Sequence, residues 1–387
     1  MTNNILPRGY KDSPLGIIPK EWEVKRILDF APLQRGFDLP TDKIISGKYP
    51  VVYSNGILNH HCECKAKGPG VVTGRSGTIG KVTYVESDYW PHNTSLWVTD
   101  FCGNNPKFVF HVYQYIDLAK FASGSGVPTL NRNDVHVSKV AVPPKQEQNR
   151  IVEVLELWDT AIEKQSELIE KLKLRKRALM QQLLTGKKRL PGFNDEWKHV
   201  PIKTFAKEVS NRNVGGANHI VLSCTKYDGL VPSLEYFGKQ IYSNDLSSYK
   251  IIPQGHFAYA TNHIEEGSIG YQSSYENGLI SPMYTVFVTN KEKINDTFLY
   301  AVLKSHHLIY LYKSMMEGSI NRRGGLRWDS FSTIKIDLPS LEEQNAIASV
   351  LVKADKEIEL AKDKLASLQS QKRGLMQQLL TGKKRIK

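Results

Sequence analysis

The sequence feature that most constrains the fold is a long internal repeat. Residues 176–189 read KRALMQQLLTGKKR and residues 372–385 read KRGLMQQLLTGKKR, so the two segments differ at a single position. The same offset, without a gap, also aligns Glu147-Gln148-Asn149 with Glu343-Gln344-Asn345. Because chance does not keep one register over so long a segment, the chain is a tandem duplication.

Each copy of the repeat is predicted to form one long helix. Its apolar residues recur in alternating steps of four and three, a spacing that is typical of a coiled coil when it persists over about four heptads. In the first copy these residues are Ile151, Leu155, Trp158, Ile162, Ile169, Leu172, Leu179 and Leu183. Lys176 and Lys372 also fall on the seam, and we expect their ammonium groups to reach solvent at its edge. Gly186 and Gly382 stand where a left-handed cap would end each helix.

The charges of the two helices indicate how they pair. In the first copy a series of acidic residues precedes the basic run Lys171–Arg177, and the second copy begins with Glu342-Glu343 and ends with Lys383-Lys384-Arg385. Antiparallel packing would place acidic halves against basic halves, whereas parallel packing would oppose like charges. Since both copies lie in one chain, we predict an intramolecular antiparallel coiled coil.

Two larger blocks of sequence alternate with the helices and differ strongly from each other. Short β-branched and aromatic runs, such as residues 49–53 and 220–223, are separated by Gly, Pro, Asn and Asp, which indicates a substantial sheet. Residues 108–121 and 296–316 have helical patterns. The predicted fold class is α+β. Its domains are residues 1–144 and 190–339, and its long helices occupy residues 145–189 and 340–387.

A glycine-rich motif that occurs in both blocks indicates that the two blocks are related. Gly77-Thr78-Ile79-Gly80 recurs as Gly267-Ser268-Ile269-Gly270, and both are followed by β-type residues. We expect a tight turn between strands here. The stretch from Gly74 to Lys81 resembles a phosphate-binding loop, but its glycines are one residue too far apart, and Val82 stands where a metal-binding Ser or Thr belongs.

Composition narrows the partners and the cellular compartment. A formal net charge of +13 favours a polyanionic partner, because Lys and Arg near phosphates release counterions. Four unevenly placed cysteines do not make a disulfide framework. The N-terminus lacks the apolar core of a signal peptide, and no stretch approaches the roughly 18 apolar residues of a membrane span. We therefore expect a cytoplasmic protein with no membrane contact.

The chain resembles Type I restriction–modification specificity subunits along its whole length. The resemblance depends on the two Pro-then-Glu-Gln-Asn segments, on the heptad helices that end in Leu-Leu-Thr-Gly-Lys-Lys-Arg, and on the glycine-rich residues 73–81. It implies two target-recognition domains, at residues 1–144 and 190–339, each reading one half of a bipartite site in double-stranded DNA. It also implies that the helices space the domains and bind two modification subunits, and that restriction subunits join the complex.

Catalytic and metal-binding motifs are absent from the sequence pattern. A DNA methyltransferase should carry an Asn/Asp/Ser-Pro-Pro-aromatic motif, and Ser281-Pro282-Met283-Tyr284 lacks the second proline. Residues 60–64 read HHCEC, but no second Cys/His pair completes a four-coordinate site. We therefore predict a non-catalytic subunit that binds neither a metal nor a cofactor; the resemblance implies that the partner modification subunits use S-adenosylmethionine.

The residues that we expect to contact DNA are polar or basic and lie mainly in glycine-rich loops. Arg is the natural reader of guanine, and Asn or Gln of adenine. In the first domain they are Arg75, Ser76, Thr78, Lys81, Ser125, Thr129, Asn131 and Arg132. In the second domain they are Asn262, Ser268, Tyr271, Gln272, Arg322, Arg323 and Arg327.

Two other functions would also suit two domains on paired helices. An enzyme that both reads and modifies DNA would need the missing cofactor motifs, and methyl transfer by the purified chain would support it. A coiled-coil adaptor between two proteins would show no DNA preference, even with modification subunits present.

Overall fold

The computed structural model describes residues 6–124, 126–317 and 325–386, and the chain forms two compact units. Unit 1 comprises Met1–Glu167 with Lys362–Lys387, and unit 2 comprises Leu168–Ala361. Both unit boundaries fall inside the two long helices. The helices are α1 (Ile27–Phe30), α2 (Pro106–Tyr115), α3 (Arg132–His136), α4 (Lys145–Leu183), α5 (Ser233–Phe237), α6 (Asp296–Leu303), α7 (His306–Glu317), α8 (Trp328–Phe331) and α9 (Leu341–Leu380).

The strands confirm a mixed fold of helix and sheet. Those of unit 1 are β1 (Tyr10–Lys11), β2 (Ile18–Pro19), β3 (Glu23–Arg26), β4 (Leu33–Arg35), β5 (Tyr49–Tyr53), β6 (Gly56–His61), β7 (Gly70–Gly74), β8 (Val82–Val85), β9 (Trp90–Pro91), β10 (Ser95–Val98), β11 (Ala122–Ser123), β12 (Thr129–Leu130) and β13 (Lys139–Val142). Those of unit 2 are β14 (Lys198–Pro201), β15 (Ala206–Val209), β16 (Ile220–Thr225), β17 (Gly229–Pro232), β18 (Lys250–Pro253), β19 (His256–Ala260), β20 (Ile269–Tyr271), β21 (Asn277–Ile280), β22 (Tyr284–Thr289) and β23 (Lys335–Leu338).

The two units repeat one sheet topology. A larger sheet has the order β4-β10-β7-β8 in unit 1 and β15-β22-β19-β20 in unit 2, with every pair antiparallel. A second sheet, which we call the smaller sheet after its three strands in unit 1, has a central strand with one antiparallel and one parallel neighbour. Its orders are β6-β5-β9 and β17-β16-β21, and in unit 2 β18 makes it four-stranded. The duplication therefore extends through the sheets, although their sequences have diverged.

The core of each unit combines its own sheet block with segments of both long helices. In unit 1, Trp22, Phe30 and Phe108 pack in one buried cluster with Ile151 of α4 and Leu379 of α9. In unit 2 the corresponding cluster includes Phe257, Phe287, Phe298, Leu183 of α4 and Ile347 of α9. Each block thus packs on the start of the helix that follows it and on the end of the other helix.

The repeated Glu-Gln-Asn motif attaches each block to its helix. In unit 1 the backbone N–H of Asn105 donates to Gln148 Oε1, and Asn105 Nδ2 donates to Asn149 Oδ1, both at 2.8 Å. Asn105 is also the N-cap of α2, which fixes the start of that helix against α4. In unit 2, Asn295 makes the same two bonds, at the same distances, to Gln344 and Asn345.

A buried carboxylate at the start of each long helix holds the end of the other helix. In unit 2, Glu343 accepts two bonds from Arg189, from Nε and Nη2, at 2.7 Å each, and a third from Trp197 Nε1 at 3.1 Å. In unit 1, Glu147 accepts from Arg385 Nε and Nη2 at 3.1 and 2.8 Å and from Trp22 Nε1 at 3.0 Å. We call each set the Trp–Glu–Arg cluster of its unit.

The helices pack antiparallel within each unit, as the charge pattern predicts. In unit 1 the ammonium of Lys372 lies 2.5 Å from Asp159 Oδ1, and in unit 2 Lys176 pairs with Asp355. The expectation that these lysines extend to solvent is wrong for Lys372, whose side chain is 10% exposed and meets a carboxylate on the facing helix. A buried ammonium needs such a partner because desolvation would otherwise disfavour its charge.

Other local expectations are refined by the structure. Residues 108–121 form α2 and a separate 3₁₀ turn at Leu118–Phe121, and residues 296–316 contain α6 and α7 with a break after Leu303. Gly186 and Gly382 have φ of +66° and +72°, the left-handed conformation expected of them. In the described residues no helix is long and apolar enough to span a membrane.

Candidate nucleic-acid interface

The glycine-rich stretch of unit 1 is a closed turn between β7 and β8. A side chain at Gly74 would place its Cβ 1.7 Å from the carbonyl oxygen of Thr78, so only glycine fits there. The N–H groups of Arg75 and Ser76 both donate to the carbonyl of Thr94, at 2.8 and 3.2 Å. The turn therefore presents its polar side chains from a fixed backbone, as the sequence predicts.

A second loop lies directly against this turn. Leu130 N donates to the carbonyl of Arg75 at 2.7 Å, and Ser76 and Thr129 form an isolated β-bridge. The loop and the turn thus bring predicted DNA contacts from two separate stretches of sequence into one surface. They are Arg75, Ser76, Thr78, Lys81, Thr129, Asn131 and Arg132.

The side chains of this surface differ in how available they are. Thr78, Lys81 and Asn131 are exposed, and Arg75, Ser76, Thr129 and Arg132 are half-buried. Asn131 caps α3, because its Oδ1 accepts from the N–H of Asn133 at 3.0 Å. Ser125 lies outside the described residues.

Unit 2 repeats the contact between turn and loop. Leu326 N donates to the carbonyl of Thr261 at 2.9 Å, as Leu130 N does to Arg75 in unit 1. The predicted residues Asn262 and Arg327 consequently line one cavity of about 390 Å³, together with Lys250, Met283 and Trp328. The Lys250 ammonium donates to the carbonyl of Tyr284 at 2.6 Å, and burial lowers its pKa.

The structure does not bring the remaining described residues of unit 2 to this surface. Ser268 and Gln272 are buried, at 7% and 2% exposure, and the Tyr271 ring packs 4.8 Å from that of Phe257. Arg322 and Arg323 lie outside the described residues. For every predicted residue, contact with DNA itself stays a prediction.

The structure adds one element that the sequence analysis missed, the tip of the first hairpin of each smaller sheet. In unit 1 the Lys81 ammonium donates to the carbonyl of Asn55 at 2.5 Å, at the tip between β5 and β6. In unit 2 the Lys304 ammonium donates to the carbonyls of Lys226 and Gly267, at 2.7 and 2.9 Å, which joins the β16–β17 tip to the glycine-rich turn. The Asn-Gly and Asp-Gly pairs at these tips are hairpin signals that the sequence does contain.

The candidate metal ligands of the sequence are not gathered into a site. His61 Nδ1 lies 3.1 Å from both the nitrogen and the oxygen of the Ile45 backbone, so that side of its ring is occupied. In the described part of the chain, the group with ligand atoms within 4.8 Å of one another is His263, Glu265 and Glu266, which are the N-cap and two residues of the 3₁₀ turn Ile264–Glu266. Acidic groups in such a turn are common without a metal, and we assign none.

Comparisons with known proteins identify what the whole chain is similar to. A family model described as "Type I restriction modification DNA specificity domain" matches residues 19–174 and again residues 202–370. The type I restriction enzyme MjaVIII specificity subunit of Methanocaldococcus jannaschii is 25% identical over 288 residues. That match covers 68% of this chain and spans 66% of the length of the relative.

Solved structures show the same fold. The S subunit of a type I restriction–modification system from M. genitalium matches with a TM-score of 0.56 and 15% identity, covering 93% of this chain and 96% of its own. A structure described as concerning the assembly and conformational transition of the type I system matches with a TM-score of 0.57 and 15% identity, covering 94% and 99%. At this identity the likeness concerns the fold.

Proposed function

Because the chain belongs to the family of type I restriction–modification DNA specificity subunits, we propose that each of its units reads one half of a split DNA target. Specificity subunits are the non-catalytic DNA-recognition component of these systems, which confirms the prediction that the chain is not an enzyme. The observation that carries the proposal is the repetition of one frame with different loops. Both units share the sheet topology, the Glu-Gln-Asn motif that attaches each block to its helix, and the Trp–Glu–Arg cluster. Their glycine-rich turns and hairpin tips differ in sequence.

The division of labour follows from what each part offers chemically. Arg and Lys side chains near the turns can contact phosphates, which supply affinity without sequence information. Asn, Ser and Thr side chains held on a rigid backbone can pair with base edges in the groove, which supplies sequence. Two independent readers with different side chains would give a target of two unrelated halves.

The long helices are proposed to set the spacing between the halves and to dock two modification subunits, which are joined by restriction subunits. A helix of about 40 residues spans roughly 60 Å, or about 18 base pairs of DNA as an upper bound. The chain is proposed to bind no cofactor itself, and S-adenosylmethionine would be used by the modification subunits.

The direct test is to map methylated adenines by long-read sequencing in cells that express the chain with its modification subunit. Cells with that subunit alone are the control. A split motif that appears only with this chain supports the proposal. Absence of new methylation, with all subunits expressed and assembled, would favour an adaptor role.

Exchange of residues 1–144 for another recognition domain should change one half-site and leave the other intact.

The spacing role needs insertions in both helices. Insertion at Thr185-Gly186 would disturb the cap, because Gly186 lies beyond the end of α4 and packs against the Trp197 ring. One heptad added to the middle of α4 and one to the middle of α9 keeps the antiparallel seam in register. Each heptad adds about 10 Å, so the spacer between half-sites should grow by about 3 base pairs while the half-sites stay the same. Altered half-sites with an unchanged spacer would contradict the spacing role.

A further inference from the structure

The hairpin β5–β6 of unit 1 presents an unusual exposed strand. β6 is the edge of the smaller sheet, and four consecutive side chains, at residues 57–60, are exposed on it. Ile57 and Leu58 are 43% and 60% exposed. A half-buried strand alternates between covered and exposed positions. The pairing of β6 with β5 shifts register between Val51 and Val52, so Leu58 is an extra residue without a pairing partner on β5. Even with this irregularity, four exposed residues in a row include side chains on both faces, so the described part of unit 1 leaves both faces of this strand open.

This hairpin is held firmly against the glycine-rich turn. Beside the bond from Lys81 to the Asn55 carbonyl, the N–H of Ser54 donates to Thr94 Oγ1 at 3.4 Å. Thr94 is the residue whose carbonyl receives the N–H groups of Arg75 and Ser76. The hairpin and the predicted DNA-contacting turn therefore form one continuous surface.

Asn59, in the middle of the exposed strand, has its amide oriented by neighbours. Its Nδ2 donates to Tyr53 Oη at 3.2 Å, and the Tyr53 ring lies 4.2 Å from the ring of His92. His92 Nδ1 is in turn 2.9 Å from Thr94 Oγ1. The contact with Tyr53 uses one amide hydrogen and leaves the other hydrogen and the carbonyl oxygen for a ligand. A donor and an acceptor side by side match the N7 and N6 positions of adenine in the major groove.

In unit 2 the equivalent hairpin β16–β17 is supported in the same way by different residues. Lys304, the C-cap residue of α6, performs the role that Lys81 performs in unit 1. Gly229 packs so closely on Tyr300 that a Cβ would lie 2.6 Å from Tyr300 Oη, which fixes the far side of the tip. On this rigid support the residue Tyr227 is 79% exposed, with the ammonium of Lys226 5.4 Å from its ring centroid.

We propose that this hairpin is the base-reading element of each unit, with Asn59 and its apolar neighbours reading the first half-site and Tyr227 contacting the second. The inference rests on the proposed function and adds the residues that carry it. A two-stranded ribbon fits the major groove, which is about 12 Å wide. Ile57 and Leu58 offer apolar contacts for thymine methyl groups beside the adenine contact of Asn59. The two hairpins are held in the same way but carry different side chains at their tips, as two units that recognise different DNA sequences require.

The test compares methylation motifs for the full chain and its variants, each co-expressed with the modification subunit. Asn59→Ala should reduce discrimination at one base pair of the first half-site by about 5- to 150-fold, the range for a bidentate base contact. Asn59→Asp keeps the size of the side chain, and its carboxylate can accept from the Tyr53 hydroxyl in place of the amide's donation, but it should favour cytosine, whose N4 donates to a carboxylate. Tyr227→Ala should alter the second half-site only.

Gln34→Ala is the matched control, because Gln34 is an exposed amide on β4, at the opposite edge of the larger sheet from β8. It should leave the motif unchanged. Folding is checked by thermal unfolding and by co-purification with the modification subunit, and if Asn59→Ala fails this check, the result for Asn59→Asp decides. Folded Asn59 variants that retain the wild-type first half-site, or that change both half-sites, would overturn the hairpin proposal. If the wild-type chain itself yields no split motif, the proposed function fails instead.

Discussion

The Trp–Glu–Arg cluster of unit 2 allows a quantitative prediction about how the fold is held. Arg189→Met removes the guanidinium and leaves the Glu343 carboxylate, whose side chain is 2% exposed, with the Trp197 indole as its remaining partner from the cluster. Removal of one partner from a buried ion pair typically costs 3–5 kcal/mol, because an uncompensated charge stays out of water. The Arg189 side chain is 27% exposed, so water can enter the vacated space. We therefore expect a loss of about 3 kcal/mol.

The double variant Arg189→Met, Glu343→Gln isolates the electrostatic part of this cost. A glutamine at position 343 can still accept from the Trp197 indole, and no buried charge remains. Replacing both members of a buried pair is often close to neutral, so the double variant should recover to within about 1 kcal/mol of the wild type. Met and Gln are similar in size to the Arg and Glu side chains that they replace, so packing losses should be small in both variants.

The assay must resolve the two units, because a chain of two compact units need not unfold in one step. Urea denaturation monitored by hydrogen exchange and mass spectrometry gives the opening free energy of each segment. In Arg189→Met, peptides from residues 184–202 and 341–351 should exchange up to about 100-fold faster, and peptides from unit 1 should not change. A loss below 1 kcal/mol, or a double variant as unstable as the single one, would refute the reasoning.

Three further outcomes follow from individual contacts. Burial, with a smaller contribution from Lys372, lowers the pKa of His111 to about 4. The unfolded chain therefore binds an extra proton between about pH 6.5 and 4, and the free energy of unfolding should decrease as the pH is lowered through that window. His111→Gln should flatten this part of a pH titration of unfolding, and an unchanged slope would contradict the prediction. Asp159→Ala should lower the free energy of unfolding by about 3 kcal/mol, because it leaves the Lys372 ammonium, whose side chain is 10% exposed, without its carboxylate partner. Asp355→Ala should lower it by about 1 kcal/mol, because the Lys176 side chain is 27% exposed. Equal losses in urea titrations would count against burial as the cause. Gly74→Ala should abolish recognition of the first half-site only, since its Cβ would collide with the Thr78 carbonyl. Gly374→Ala is the control, because a Cβ there meets no atom within 4 Å and the equivalent position of α4 is already Ala178, so it should keep the motif that methylation mapping reports.

The helical part of the fold could be predicted from the sequence because its signal is local and periodic. The heptads, the charge order and the cap glycines all repeat at one offset, so the antiparallel pair followed without any knowledge of the sheets. The partners of the seam lysines could not be found in this way. Asp159 and Asp355 lie far from Lys372 and Lys176 in sequence, and only the packed helices show which residue faces which.

The sequence predicted the presence of sheets but not the order and pairing of their strands, because the strands are short and their pairing is non-local. Strands of two to six residues carry little periodicity, and the order β4-β10-β7-β8 joins segments up to about 60 residues apart. That β15-β22-β19-β20 is the same sheet becomes visible only from the hydrogen-bond register. What remains similar in sequence is the part with a common task, namely the helices and the Glu-Gln-Asn motif that docks each block.

The glycine-rich stretches show that residues which match in a sequence motif need not occupy equivalent positions in the structure. Thr73 pairs with Val82 in unit 1, and its structural counterpart Tyr259 pairs with Ile269 in unit 2, so Ile269 corresponds to Val82 and not to Ile79. Gly267-Ser268-Ile269-Gly270 therefore enters strand β20, whereas Gly77-Thr78-Ile79-Gly80 stays within the turn. This shift explains why Ser268 and Gln272 are buried although the motif placed them in a loop.

The same shift bears on how two readers can diverge within one frame. At the end of its turn unit 2 has Ser268 where unit 1 has Lys81, yet the hairpin tip is still bound by a lysine, Lys304, the C-cap residue of α6. A contact that is rebuilt from another element is better explained by a requirement for the tip position than by inheritance of a particular residue. If the tips were passive connections, a lysine amine spent on a backbone carbonyl would gain little, since a partly buried ammonium also loses hydration. The positions that most need fixing are those from which side chains must meet a rigid partner, and the edges of DNA bases are such a partner.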